Sequence, residues 1–141
     1  MIAYLDSSVL LRVVLGQPCK LKEWRSIERG VASALVEVEC LRSLDRLRLR
    51  SQTTDEEIAI RREAIFRLLE SIDVVELDPQ ILKRASQPLP TAIGTLDAIH
   101  LMTALVWREE EDEHLVMATH DDALGIGARA CGLPVVGLLH T

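Results

Sequence analysis

The chain has 141 residues, of which 48% are hydrophobic, and a formal net charge of -6 at pH 7. This length suits one domain over residues 1–141, which can bury roughly two-thirds of the surface that the unfolded chain exposes and needs no cross-links to fold. The acidic balance argues against a protein that binds polyanions over a wide surface.

Cysteine spacing and the length of the apolar runs exclude further classes of protein. Cys19, Cys40 and Cys131 are odd in number and form no C-x-x-C pair, so we expect neither a disulfide framework nor a zinc site. No stretch approaches about 20 apolar residues, and no basic region precedes the first apolar run, so we expect no membrane span and no export signal. These features fit a cytoplasmic protein.

The predicted elements alternate between strands and helices. The first half predicts a strand at 2–5, helices at 7–15 and 18–29, a strand at 31–33 after Gly30, and helices at 34–50 and 55–71. The second half predicts a strand at 74–77, a helix at 79–87, a link at 88–95, a helix that begins near Asp97, a strand at 115–119, a helix at 121–132 and a strand at 134–138. Apolar strands that alternate with helices indicate an α/β fold with a parallel sheet covered on both faces.

Four acids are predicted to reach one edge of this sheet. Asp6 follows the first strand directly, and Asp121 comes shortly after the fourth. Glu39 lies in the early turns of the helix after the second strand, and Asp97 begins the apolar helix TLDAIHLMTAL. Ligands of open parallel sheets bind beyond the carboxyl ends of the strands, where the strand order reverses, so we expect the four carboxylates to meet there.

Such a group of carboxylates requires positive charge. Two carboxylates about 5 Å apart repel by roughly 3 kcal/mol at an effective dielectric constant of about 20. The only three lysines, Lys20, Lys22 and Lys83, are not placed to offset this. One or two Mg²⁺ or Mn²⁺ ions would offset it, because hard cations prefer oxygen ligands. The predicted chemistry is metal-assisted phosphodiester hydrolysis by an activated water.

Four blocks of sequence carry a family resemblance: YLDSS at 4–8, SALVEVECLRSL at 33–44, TLDAIHLMTAL at 95–105 and MATHDDAL at 117–124. In order and spacing they resemble the PIN domain family, in particular its VapC-type toxins. The resemblance implies a three-layer α/β/α sandwich with a central, mainly parallel sheet. It also implies a Mg²⁺- or Mn²⁺-dependent endoribonuclease that leaves a 5′-phosphate and a 3′-hydroxyl, forms a homodimer and binds a cognate antitoxin.

The resemblance also implies site residues. Carried over to this sequence, the catalytic and metal-binding acids of the family are Asp6, Glu39, Asp97 and Asp121, and the polar neighbours of the metal are Ser7, Ser8 and Thr119. Because Asp122 follows Asp121 directly, either of them can be the fourth acid. His120 departs from the aromatic or small residue that many relatives have at this position.

Several of these residues also have a structural interpretation. Asp97 is at a position where an acid can cap a helix. His100, one turn after Asp97, can orient a carboxylate or touch RNA, but its apolar surroundings favour a core residue with a satisfied hydrogen bond. Asp78 repeats the pattern of strand followed by acid, yet with Pro79 after it the pattern predicts a helix cap.

Two sequence motifs are open to a functional reading. The segment RSLDRLRLR at 42–50 places Arg42, Arg46, Arg48 and Arg50 on a helix, which predicts either a solvated face or contacts with RNA phosphates. GIGARA at 125–130 matches a dinucleotide-binding pattern, but it lies inside a helix and no acid follows about 20 residues later, so we predict close helix packing.

Two other functional classes compete with the nuclease. A receiver-like or haloacid-type phosphate-transfer domain would also place aspartates at strand ends around Mg²⁺. The late part of this chain lacks the lysine of receivers, however, and Ser8 replaces the second acid of the haloacid D-x-D pattern. A catalytically inactive PIN-like module that binds RNA or protein would keep the same fold.

Overall fold

The computed structural model describes residues 1–18 and 21–138, which form five strands, six α-helices and one 3₁₀ helix. The strands are β1 (Ile2–Leu5), β2 (Arg29–Ser33), β3 (Asp73–Val75), β4 (Val116–Ala118) and β5 (Val135–Val136). The helices are α1 (Ser7–Val14), α2 (Leu35–Arg50), α3 (Asp55–Glu70), α4 (Pro79–Ala85), α5 (Thr95–Glu111) and α6 (Asp122–Ala130). The 3₁₀ helix spans Lys22–Ser26.

The five strands form one parallel sheet in the order β3-β2-β1-β4-β5. Ala3 in the central strand pairs with Gly30 of β2 on one side and with Val116 of β4 on the other. The chain therefore builds outward from β1 to β3, returns, and builds outward again from β4 to β5. The strand order reverses between β1 and β4, which is where open α/β sheets bind ligands.

Alternation along β1 divides the core into two layers. Ala3 and Leu5 belong to a hydrophobic cluster with residues of α1, α2 and α3, whereas Tyr4 belongs to a cluster with residues of α4, α5 and α6. Successive side chains of a strand point to opposite faces, so three helices cover each face of the sheet. The predicted three-layer α/β/α sandwich is confirmed.

Local sequence signals account for two of the helices. Asp78 caps α4 by accepting a hydrogen bond from Ile81 N at 2.8 Å, with Pro79 in the first turn, as predicted. Gly125 of α6 packs closely, because a Cβ there would lie 2.5 Å from Leu138 Cδ1, which would have to move. The prediction that GIGARA serves close helix packing is also confirmed.

The predicted helix at 18–29 is wrong for the residues that the structure describes. Only Lys22–Ser26 is helical, and Arg29 and Gly30 belong to β2, where they pair with Ile2 and Ala3. Gly30 packs so closely that a Cβ would lie 2.7 Å from Leu5 and 2.8 Å from Ile72. Pairing with β1 outweighs the local helical pattern, and Gly30 serves the strand rather than a helix end.

Cysteine chemistry plays no visible part in the described chain. Cys40 and Cys131 are free thiols. Burial and the charge of Glu39 raise the pKa of Cys40 to about 12, so this thiol is a poor nucleophile. The predictions for Cys19 and Lys20 concern positions outside the described residues. Among the helices of residues 1–18 and 21–138, none has the length and apolar character needed to cross a membrane.

Candidate active site

Asp6 lies at the point where the strand order reverses. It follows β1 directly, and its backbone N–H donates to Ala118 O of β4 at 3.1 Å. Asp6 occupies the N-cap position of α1, but its side chain makes no capping hydrogen bond. Its carboxylate is therefore available to the sheet edge rather than used by the helix.

Two hydroxyl groups fix the buried carboxylate of Asp6. Ser8 Oγ donates to Oδ2 at 2.7 Å, and Thr119 Oγ1 donates to the same oxygen at 2.8 Å. Each hydroxyl also accepts a hydrogen bond from the backbone that follows β4. Ser8 Oγ accepts from His120 N at 3.0 Å, and Thr119 Oγ1 accepts from Asp121 N at 3.0 Å. These hydrogen bonds join the ends of β1 and β4. Ser7, the third predicted polar neighbour, begins α1 and takes no part in this set.

Glu39 and His100 form the second part of the site. Glu39 lies on the second turn of α2, and its Oε1 is 2.6 Å from His100 Nε2. His100 is completely buried on α5, and its Nε2 lies 3.9 Å from Asp6 Oδ1. His100 is thus a core residue with satisfied hydrogen bonds, as the apolar helix favours, and it also orients a carboxylate.

Burial and negative charge act on the pKa of His100 in opposite directions. Burial lowers the pKa, but the hydrogen bond to Glu39 and the charges of Glu39, Asp6 and Asp97 outweigh it, so the pKa is raised. No Arg or Lys of the described chain forms an ion pair with Asp6, Glu39, Asp97 or Asp121. His100 contacts Glu39 directly and lies 3.9 Å from Asp6.

Asp97 is the third residue of α5 and does not cap it. The N-cap residue of α5 is Gly94, which has no side chain, so no side chain caps this helix and the capping interpretation of Asp97 is wrong. Burial raises the pKa of Asp97 to about 6, and the charges of Asp121 and Asp6 add to this effect. The carboxylate therefore lies in a region of excess negative charge.

Of the two neighbouring acids, Asp121 is the one whose charge acts on Asp97. Asp121 caps α6 by accepting from Leu124 N at 2.9 Å, yet its charge is the largest of the neighbouring charges that raise the pKa of Asp97. Asp122 is exposed in the first turn of α6 and is not among the groups that shift Asp97. This geometry favours Asp121 over Asp122 as the fourth acid.

The donor chemistry of this cluster suits a hard divalent cation. Four carboxylates carry more negative charge than one histidine can offset, and carboxylate oxygens are ligands that Mg²⁺ and Mn²⁺ prefer. In the described part of the chain, no group of three or more His, Cys, Asp or Glu side chains is already arranged to hold a metal ion. Mg²⁺ usually keeps several waters and uses one or two carboxylates, so these residues fit it without a complete protein cage.

The arginine-rich face of α2 divides into two sides relative to Glu39. All four arginines are exposed, namely Arg42, Arg46, Arg48 and Arg50. At about 100° per residue, Arg42, Arg46 and Arg50 follow Glu39 along one stripe, whereas Arg48 points to the opposite side. Asp45 pairs with Arg48 at 2.9 Å and with Arg42 at 3.8 Å.

Tyr4 is the residue of this region that the sequence interpretation did not single out. Its hydroxyl lies 2.6 Å from His100 Nδ1, and burial, followed by the charge of Asp6, raises its pKa well above the usual range. A signal was present, because Tyr4 and Asp6 are two residues apart in an extended segment and so point to the same face.

His120 follows β4 and has a structural role. Its ring Nδ1 is 2.8 Å from Gly137 O, and its Nε2 is buried with no hydrogen-bond partner among the described residues. Gly137 has a positive φ of 104°, and its own close approach to Thr119 O leaves no space for a side chain. His120 therefore connects the site to the segment after β5.

The fold and the site together define an α/β/α protein with an acidic cleft at the reversal of strand order. A sequence model of the PIN domain family matches residues 3–124. The chain therefore belongs to the PIN domain family, which confirms the resemblance carried by the four sequence blocks.

Individual relatives agree with this assignment. The chain is 29% identical to ribonuclease VapC46 of Mycobacterium tuberculosis over 136 residues, which cover 94% of this chain and 95% of that protein. It is 27% identical to ribonuclease VapC47 of the same species, with 92% and 91% covered. A toxin-antitoxin complex from Klebsiella pneumoniae contains a chain with the same fold, with a TM-score of 0.64, 15% identity and 96% of each chain covered.

Proposed function

We propose that the protein is a Mg²⁺- or Mn²⁺-dependent endoribonuclease that acts as the toxin of a toxin-antitoxin pair. The observation that carries the proposal is the group of four carboxylates at the reversal of strand order, none of which has an Arg or Lys partner in the described chain. Membership of the PIN domain family and the ribonuclease names of its relatives support the same reaction.

Asp6, Glu39, Asp97 and Asp121 are the residues that would hold one or two ions. Ser8 and Thr119 keep Asp6 in one orientation through its Oδ2. Asp121 uses Oδ1 for the helix cap and Glu39 uses Oε1 for His100, so each retains one carboxylate oxygen. Asp97 gains from a cation, because its surroundings disfavour its charged form.

The bound ions would supply a water activated for attack and a counter-charge for the leaving oxygen. The chain contributes the fixed carboxylates and the exclusion of solvent from Asp6, which is buried. No covalent nucleophile is required. Arg42, Arg46 and Arg50 extend from Glu39 along α2 and offer positive charge to the phosphates of an RNA strand on that side.

The proposal is tested by incubating total cellular RNA with purified, partner-free protein in Mg²⁺ and sequencing all new 5′-phosphate ends. Discrete new ends are expected that disappear with EDTA and with Asp97→Asn. Asp122→Asn is the matched control, since Asp122 is an exposed acid of the first turn of α6, and it should leave the ends unchanged. Folded wild-type protein that binds Mn²⁺ but creates no ends would instead support the inactive RNA- or protein-binding module.

The receiver-like form of the phosphate-transfer alternative is disfavoured by the sheet. Receiver-like domains have the strand order 2-1-3-4-5, whereas the order here is β3-β2-β1-β4-β5. The family match to residues 3–124 points the same way. The competing functions that remain to be separated are therefore cleavage of RNA and binding without cleavage.

The proposed partner is a cognate antitoxin protein, which would cover the acidic cleft. The sequence predicts that the apolar faces of α1 and α3 serve antitoxin binding or dimerisation. On α1, Val9 and Leu10 are buried in the core, but on α3 both Ile60 and Phe66 are exposed. Ile60→Glu should abolish co-purification with the antitoxin if α3 binds it, and unchanged co-purification would contradict this part of the proposal.

Homodimer formation belongs to the same proposal. Val38 and Leu49 are both exposed on one side of α2, about three turns apart with the ion pair of Arg42 and Asp45 between them, and a second copy can cover both. Sedimentation equilibrium of the partner-free protein should give twice the chain mass. A monomer mass at micromolar concentration would contradict it.

A further inference from the structure

A line of buried hydrogen bonds runs from the core of the sheet to the acidic cleft. Tyr4 Oη is 2.6 Å from His100 Nδ1, and His100 Nε2 is 2.6 Å from Glu39 Oε1. Tyr4 and His100 are both completely buried, and Tyr4 is the only tyrosine in the chain. The three side chains come from β1, α5 and α2, so the line crosses between the two helical layers through the sheet edge.

The carboxylate determines the direction of these hydrogen bonds. An ionised carboxylate can only accept, so His100 Nε2 must carry a proton and donate it to Glu39. A neutral imidazole then has no proton on Nδ1, which must accept from the hydroxyl of Tyr4. Glu39 therefore sets the tautomer of His100, and Tyr4 supports it by donating to Nδ1.

The geometry of the rings restricts movement further. The rings of Tyr4 and His100 meet edge to face, with centroids 5.8 Å apart and an angle of 73° between the planes. His100 Nε2 is 3.9 Å from Asp6 Oδ1, too far for a hydrogen bond. Asp6 has its own donors in Ser8 and Thr119, so the imidazole serves Glu39 alone.

We propose that Tyr4 and His100 are a pair of positioning residues, in which Tyr4 holds the ring of His100 by donating to Nδ1 and His100 fixes the carboxylate of Glu39 by donating to Oε1. Oε1 of Glu39 is thereby turned to the core, and Oε2, which has no hydrogen-bond partner in the described chain, is left for a ligand at the cleft. The consequence for metal binding and catalysis rests on the proposed function, because it takes Glu39 as a ligand. The tautomer does not depend on that function.

The first test is the tautomer of His100 in metal-free protein, recorded from ¹⁵N-labelled protein by NMR with the ring neutral. The wild type should show a proton on Nε2 and none on Nδ1. Tyr4→Phe keeps the ring and leaves Glu39 in place, so the proton should stay on Nε2 while Nδ1 loses its donor, which should appear as a change in the Nδ1 chemical shift. A neutral wild-type ring with its proton on Nδ1 would overturn the proposal, whatever the variants do.

The second test compares Mn²⁺ affinity and RNA cleavage in three variants. Substituting residues that orient metal ligands typically costs about 10–100-fold in affinity or activity. His100→Leu should therefore lower Mn²⁺ affinity and kcat by roughly this factor with little change in KM, and Tyr4→Phe should lower both by about 10-fold. His100→Gln should recover part of the loss, because its amide can donate to Glu39.

A matched control removes a buried hydroxyl elsewhere. Thr91 Oγ1 is buried with no hydrogen-bond partner in the described chain, so Thr91→Val should keep wild-type affinity and kcat. If His100→Gln and His100→Leu both fold and lose the same Mn²⁺ affinity and kcat, packing rather than hydrogen-bond donation is what matters. That result would overturn the proposed pair.

The two proposals fail in different ways. Wild-type protein that binds Mn²⁺ but does not cleave RNA would refute the nuclease, while the affinities of the variants would still test the pair. Wild-type protein that cleaves RNA, with folded Tyr4→Phe and His100→Leu equal to it in affinity and kcat, would refute the pair and leave the nuclease standing.

Discussion

The hydroxyl of Thr119 donates to Asp6 Oδ2 at 2.8 Å and so joins the ends of two neighbouring strands at a buried carboxylate. The same hydroxyl accepts from the backbone N–H of Asp121. One side chain therefore fixes the first acid of the site and the start of the segment that carries the fourth. Its loss should affect both stability and the geometry of the cleft.

Thr119→Val should lower the free energy of unfolding by about 1.5–3 kcal/mol, since it removes a hydrogen bond to a buried charged group and leaves the Asp121 N–H without its acceptor. Urea denaturation at neutral pH measures this change. Ser7→Ala is the matched hydroxyl deletion, because Ser7 makes no hydrogen bond in this set, and it should remain within about 0.5 kcal/mol of wild type. Equal effects of the two substitutions would contradict the assignment.

The raised pKa of Asp97 predicts how stability changes with pH in the absence of metal. Burial, with Asp121 and Asp6, raises this pKa from 3.8 to about 6 in the folded protein. Between these values the folded state binds the proton more tightly than the unfolded state, so the free energy of unfolding falls as pH rises from about 4 to about 6. Above about pH 6 the folded protein carries the full free-energy cost of the charged Asp97 carboxylate.

Asp97→Asn should therefore stabilise the metal-free protein at pH 7, where Asp97 is charged. Because Asp97 is only half-buried, solvent screening reduces the expected gain to about 1 kcal/mol. Denaturation of both proteins in EDTA at pH 4 and pH 7 measures it, and the gain should vanish at pH 4. A gain of the same size at both pH values would mean that charge is not its cause.

Addition of metal should reverse the order of stability. A ligand that binds only the folded state stabilises it by about 2.7 kcal/mol at 100 times its Kd. Mn²⁺ should therefore raise the Tm of the wild type, and the rise should be much smaller in Asp97→Asn, which has lost one carboxylate. The Asp122→Asn variant should respond as the wild type does. A rise in Tm that is the same in Asp97→Asn would remove Asp97 from the set of ligands.

The sequence predicts the layers of this fold because each layer depends on local periodicity. Apolar runs such as Ile2–Leu5 and amphipathic runs such as Asp55–Glu70 are visible without knowledge of their partners. The segment at 18–29 is different, since Arg29 and Gly30 become a strand through pairing with β1, more than twenty residues earlier. Local preference does not contain this information.

The same distinction applies to the site. The strand-end rule places Asp6 and Asp121 at one edge, and in the structure the charges of both, with that of Glu39, act on Asp97. The hydrogen bond from His100 to Glu39 spans 61 residues along the chain and depends on how α5 and α2, on opposite faces of the sheet, are placed at its edge. No spacing in the sequence encodes that contact. The spacing of Tyr4 from Asp6 places it on the same face, but its contact with His100, 96 residues later, is likewise not encoded locally.

The two sides of α2 provide the last prediction, which concerns RNA binding. Arg46 is seven residues after Glu39 and so lies on the side of the cleft, whereas Arg48 is nine residues after it and points away. In an Asp97→Asn background that prevents cleavage, Arg46→Gln should weaken binding of single-stranded RNA several-fold. It should also reduce the slope of log affinity against log salt by about 0.7, the value for one phosphate contact.

Arg48→Gln is the matched control, because it removes the same charge from the same helix and also breaks an exposed pair with Asp45. Such pairs contribute little to stability, so this variant should fold normally. If phosphates contact the side of α2 that faces Glu39, only Arg46→Gln changes the salt slope. If both variants weaken binding equally, the attraction comes from net charge alone, and the arginine-rich segment is a solvated face rather than part of the RNA path.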